Sequence, residues 1–218
     1  MKTVANPREM AANLRRRARF YYGMTVATLG IPGMVWILCD LTVPFWLVCL
    51  CLVAARICYC EAGQHMQAAA RFEQGQTGED ELAEELEKLS PRWRVKRNVI
   101  IEHLGDIDFF VVSPSGKPFV LDAKSHEGTI VTIGQAIYRL YKGSYVPLEK
   151  DLVVQAMRQA IAAKELFGLP YVTAVVVFTR AQVQIYPPKI RQAHILSKSN
   201  VVAFLLEQET GVFKFPAA

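Results

Sequence analysis

Asp108, Asp122 and Lys124 put two carboxylates and an ammonium into one short stretch of the chain. Ile107 to Val112 and Phe119 to Lys124 are rich in β-branched and aromatic residues, and Ser113-Pro114-Ser115-Gly116-Lys117 separates them with turn formers. That pattern predicts a β-hairpin. Side chains alternate faces along a strand, so Asp122 and Lys124 share a face with their Cα atoms roughly 7 Å apart. Pairing about Ser115 sets Val112 opposite Pro118, Phe110 opposite Val120 and Asp108 opposite Asp122. Two carboxylates and an ammonium then converge beside Phe and Val, where unpaired charge is expensive. Two carboxylates offer hard oxygen ligands to Mg²⁺ (or Mn²⁺) without filling its shell. Such an ion polarises a phosphate and lowers the pKa of a bound water, while the lysine orients that water or neutralises developing charge. The pattern therefore predicts metal-assisted phosphodiester hydrolysis, with Asp108 and Asp122 as ligands. The plainer alternative is a structural Asp–Lys pair on a sheet.

The same residues carry a family resemblance. Asp108 with Asp122-Ala123-Lys124 is similar to the acid…(Asp/Glu)-x-Lys core of the PD-(D/E)xK nuclease superfamily. The longer pattern resembles the nuclease-related domain, NERD: Gly78-Glu79, Gly105-Asp106-Ile107-Asp108, Gly116 to Lys124, Gly128, and a later helix with Gln155 and Gln159. It covers about residues 77–180. The second acid is Asp where Glu is common in the superfamily. The resemblance implies a restriction-endonuclease-like mixed α/β sheet flanked by helices. It also implies that Glu79 and Gln155 complete the site of Asp108, Asp122 and Lys124, and that DNA rather than RNA is the substrate. Acids also favour the first turn of a helix because of its dipole, and a solvated face would equally carry Gln155 and Gln159.

Other elements must position these groups. Thr77 is placed to N-cap a helix whose stripe is Glu79, Leu82, Leu86 and Leu89. Gly128 to Ile133 and Ala136 to Tyr141 read as further strands. Asp151 to Phe167 reads as a helix with Leu152, Met157, Ile161 and Leu166 inward and Gly168-Leu169-Pro170 as its stop. Tyr171 to Phe178 is a continuous apolar run, expected as a strand buried on both faces. Val183 to Tyr186 would add a short strand, and Asn200 to Glu207 a closing helix.

The first third is different material. Phe20 to Cys39 is uncharged and long enough for a bilayer core of about 30 Å. After Asp40, a second apolar segment extends to Cys60, with Arg56 free to snorkel. Phe20, Tyr21, Tyr22, Trp36, Phe45, Trp46 and Tyr59 sit where aromatic belts belong. The expectation is a two-helix transmembrane hairpin over 20–60, after a basic arm (1–19) and before a helical stalk (61–76) and the α/β domain (77–218). The first 19 residues carry six basic side chains and one acid, and the rest carry 19 of each. The excess charge thus belongs to the arm rather than to a nucleic-acid-binding surface. A basic arm predicts cytoplasmic termini on a multi-pass protein of the inner membrane, with Asp40 to Pro44 as the outer turn. All five cysteines precede residue 61, which excludes a disulfide scaffold in the α/β part. No Walker loop or Gly-rich dinucleotide fingerprint is present. Two functions fit: a membrane-anchored, metal-dependent nuclease, or an inactive module that recruits nucleic acid or a protein partner to the bilayer.

Overall fold

Two long helices, α1 (Pro7–Cys39) and α2 (Phe45–Leu86), begin the chain. The computed structural model describes residues 7–39, 44–101, 105–134, 136–148 and 151–211. The chain divides into two units, Met1–Gln76 and Thr77–Ala218. In the first, Arg15 pairs with Glu73, Tyr21 stacks on His65 and Tyr22 meets Tyr59 edge-on, so the helices run antiparallel. Ala11 and Ala18 on α1, and Ala55, Ala62 and Ala69 on α2, are buried at seven-residue spacing. That is the repeat of a seam between supercoiled helices, with methyl groups letting the backbones approach closely. Among the described residues one helix, α2, is long and apolar enough to cross a membrane, where two spans were expected. α1 carries Arg15, Arg16, Arg17 and Arg19 in its first half. The expected turn residues Asp40 to Val43 lie outside the described residues. α2 also runs straight through Thr77, so Thr77 is a helix-interior residue and not an N-cap. The Ala- and Gln-rich stretch before it propagates the helix without a restart.

The second unit is built on one mixed sheet. Its strands are β1 (Arg94–Ile101), β2 (Gly105–Val112), β3 (Pro118–Ile133), β4 (Ala136–Tyr141), β5 (Ser144–Pro147), β6 (Thr173–Val183), β7 (Lys189–Ile190) and β8 (Ala193–Ser197). They are ordered β1-β2-β3-β6-β8-β7, with β4 also on β3 and β5 on β4. The β2–β3 register is the expected one, with Val112 opposite Pro118 and Phe110 opposite Val120. β3 and β6 are parallel, as are β6 and β8. Residues 128–133 are not a separate strand but the second half of β3. Val183 ends β6 instead of opening a strand of its own.

Helices cover both faces. Leu82 and Leu86 of α2 and Val201, Phe204 and Leu205 of α4 (Lys198–Thr210) pack on Phe109, Val111, Phe119 and Leu121. On the other face α3 (Leu152–Leu166) packs on Phe110, Val120, Ile130, Val176 and Phe178. Asp151 caps α3, its carboxylate accepting from the Val154 amide. The inward stripe of α3 is the expected one in part: Leu152 and Met157 pack on the core as expected, and Ile161 and Leu166 do not. Ala156, Ala160 and Ala163 face the sheet, while Ile161 and Leu166 are each 54% exposed. Small side chains bring the helix close to the strands, and that closeness lets its polar residues reach the sheet.

Gly128 has φ +98, and a Cβ added there would sit 2.6 Å from the Leu140 carbonyl oxygen. Gly128→Ala is expected to destabilise the fold by roughly 2–4 kcal/mol, from the left-handed backbone and the backbone clash together. A fall in the urea midpoint checks this; an unchanged midpoint contradicts it.

Candidate active site

The site forms where β3 passes from one neighbour to another. Its first half pairs with β2 as far as Phe109↔Leu121, and its second half with β4 from Thr129↔Leu140 onward. Between them the edge of β3 has no strand partner in the ladder. Asp108 is next in register after Phe109, which sets it opposite Asp122. In place of a backbone partner, the Ala123 amide donates to the Asp108 carboxylate at 2.7 Å. On the other side of Asp108 the β1–β2 pairing skips Asn98, whose φ is +51. Asp108 thus sits where pairing is interrupted along both of its edges.

Asp122 is 1% exposed. Lys124 Nζ donates to its Oδ1 at 2.9 Å and lies 2.7 Å from Oδ2, out of line for a hydrogen bond to that second oxygen. Gln155 Nε2 on α3 approaches Oδ1 at 3.5 Å. One turn on, Gln159 is buried. Its Nε2 donates to the Asp106 carbonyl at 3.2 Å, and its Oε1 is buried without a hydrogen-bond partner among the described residues. The structure thus brings together Asp108, Asp122, Lys124 and Gln155, with Gln159 beside them. Gln159 was legible only as one of two glutamines a turn apart.

Glu79 stands at the margin. It is half-buried and feels the charges of Lys124 and Asp106, and Asp108 feels its charge in turn. Among the described residues no hydrogen bond joins it to the carboxylate pair. Gly78 lets α2 come this close: a Cβ there would lie 2.8 Å from Thr179 Oγ1 and 3.2 Å from Ser125 Cβ. His126 is half-buried with its ring tilted against Phe178.

The electrostatics are those of too many acids for one base. Burial pushes the Glu79 carboxyl up, against the attraction of Arg97. Burial raises Asp122 as well, opposed by Lys124 and the Gln159 amide. Asp108 is pushed up to about 7, first by burial and then by the neighbouring Asp122 charge. Among the described residues no group of three or more His, Cys, Asp or Glu is gathered to hold a metal. The donor set is two carboxylates that repel each other, one with a buried oxygen lacking a hydrogen bond. Such oxygens fit a hard divalent cation that keeps waters in its shell.

A carboxyl with a raised folded pKa binds its proton more tightly in the native state. Its stabilising effect is therefore full below about pH 4 and lost as pH climbs toward 7. For Asp108, a rise from 3.8 to about 7 amounts to at most about 4 kcal/mol. Asp108→Asn keeps an oxygen for the Ala123 amide and carries no charge. It is expected to flatten this loss and to be the more stable protein at about pH 8 in the absence of divalent ions. Urea midpoints of both proteins at about pH 4.5 and 8 measure it; a wild type no weaker at the higher pH contradicts it.

Comparison with known proteins bears on the same residues. No curated protein and no solved structure matches the chain. A protein-family model does match, over the segment that holds the end of α2, β1 to β5, α3, most of β6 and the carboxylate pair: residues 74–179 match NERD, the nuclease-related domain.

Proposed function

We propose that the protein is a metal-dependent nuclease held at a membrane. The observation that carries the reading is the convergence of Asp108, Asp122 and Lys124 at the unpaired edge of β3, inside the segment that matches the nuclease-related domain. Asp108 and Asp122 would hold Mg²⁺ or Mn²⁺, which when bound supplies charge to polarise a phosphodiester and acidify a water. Lys124 orients Asp122 and opposes the rise that burial gives its carboxyl pKa. Its ammonium is also placed to favour negative charge on the phosphate as it is attacked. Gln155 fixes the same carboxylate from α3. Glu79 adds negative potential at Asp108 that would attract a cation as it attracts a proton. DNA is the proposed substrate, taken over RNA because of the family resemblance.

Anchoring is the second part of the proposal. Val48, Leu50, Leu52, Val53 and Ile57 of α2 are exposed, an apolar surface suited to lipid tails. With α1 as a second span and the basic arm retained inside, both termini would face the cytoplasm at the inner membrane.

Asp108→Asn, Asp122→Asn and Lys124→Ala are each expected to lower metal-dependent cleavage of DNA by roughly 10²–10⁴-fold. Lys124→Ala should still be stabilised by Mn²⁺ and Asp108→Asn should not, since an ammonium is no metal ligand. Melting curves of the detergent-solubilised protein with and without Mn²⁺, beside a gel-based cleavage assay, read both outcomes. A wild type that gains no stability at millimolar Mn²⁺ or Mg²⁺ and leaves DNA intact favours the recruiting module instead.

The full chain is also expected to stay with membranes through alkaline carbonate washing. Release into the wash would remove the anchoring proposal.

A further inference from the structure

β4 and β5 form a two-residue hairpin that ends beside the gap in β3. Lys142 and Gly143 have φ +50 and +78, the left-handed pair of a type I′ turn. Arg139 is the register partner of Ile130, which packs in the α3-side core with Val120 and Val176. Arg139 and Tyr141 therefore lie on the sheet face that also carries Asp122 and Lys124. The Arg139 guanidinium is 4.9 Å from the centre of the Tyr141 ring, and Lys142 Nζ is 5.4 Å from the same ring. Some cations of this unit have acids, as Arg97 has Asp80, Arg180 has Glu127, Arg191 has Asp151 and Lys198 has Glu81, whereas Arg139 and Lys142 share an aromatic ring instead. Among the described residues neither Arg139 nor Lys142 has a carboxylate partner. Arg139 Nε is moreover buried without a hydrogen-bond partner.

Two cations held on one aromatic ring are a cluster of the charge and geometry that a phosphate oxygen would meet. We propose that the β4–β5 hairpin is an arm that grips the phosphate backbone of the nucleic-acid strand lying across the carboxylate pair, an inference that rests on the nuclease reading. By register, Lys142 falls opposite Glu127, five residues along β3 from Asp122. At ~3.3 Å per residue that is roughly 16 Å of strand. The arm thus holds the backbone beyond the scissile bond. The overall neutrality of the chain beyond its N-terminal arm conceals this local excess of positive charge.

The test is fluorescence anisotropy of a labelled single-stranded DNA oligonucleotide with the full-length protein in neutral detergent and EDTA, where cleavage is silent. Lys142→Asn removes the charge at an exposed turn and keeps a residue that tolerates positive φ. Arg139→Gln is added in a double variant, and Lys164→Gln on α3 controls for net charge. The double variant is expected to bind about ten-fold more weakly near 0.1 M salt, with a log K against log salt slope shallower by about 1.4; Lys142→Asn alone should account for about half of that change in slope. Lys164→Gln should match wild type. Unchanged binding by Lys142→Asn and by a folded double variant overturns the arm, and leaves the nuclease reading to the Asp108→Asn cleavage assay. Equal weakening by Lys164→Gln overturns it too, since net charge then explains the effect. Oligonucleotide binding unchanged while anionic vesicles are lost also overturns it, in favour of a lipid contact. A wild type that neither binds nor cleaves DNA overturns the arm together with the nuclease reading.

Discussion

The hydrogen bond from the Ala123 amide to the Asp108 carboxylate is the contact on which the site depends. A strand edge must satisfy its amides, and a backbone neighbour does so at little cost. Here a side chain takes that place. The substitution ends the β2–β3 ladder at the point where β4 has not yet begun, and it turns one Asp108 oxygen toward β3. Without it, either the strands would close up over the site or a buried amide would be left without an acceptor.

The price of this arrangement is charge. Asp108 and Asp122 are too close and too dry for both to ionise comfortably, and Glu79 adds to the repulsion. Lys124 compensates one of them, since a buried carboxylate with no cation would cost several kcal/mol. A proton on Asp108 settles the remainder, which is why its carboxyl stays protonated to near neutrality. Under the proposed function, a proton and a divalent cation would compete for the same oxygens.

Much of this was legible in the sequence, for identifiable reasons. The hairpin register followed from the alternation around the Ser113 to Lys117 turn, and with it the meeting of Asp108 and Asp122. The bounds of α3 followed from Asp151 and Gly168. β1 was not legible. Arg94, Lys96 and Arg97 dilute its apolar signal, and only its pairing with β2 makes it a strand. β5, β7 and β8 were missed, the first two being only four and two residues long. The inward face of α3 misled because alanines carry little hydrophobic weight yet set how close the helix lies. The alanine seam between α1 and α2 hid in the same way, spread over the basic arm, the second apolar segment and the stalk.

β3 runs for sixteen residues without a break in strand character, bending only at the irregularity between Lys124 and Glu127. Its first half carries the carboxylate and the ammonium, and its second half carries the β4–β5 hairpin. One unbroken rod therefore works as a ruler. The interval between its two marks is fixed by residue count rather than by loop dynamics, and β6 braces it along nearly its whole length. Inserting or deleting a single residue at the bulge would re-grade that ruler by one strand step and turn every side chain beyond it to the opposite face. The bulge is thus the one place where a small change in length could recalibrate the molecule without touching the residues at either mark.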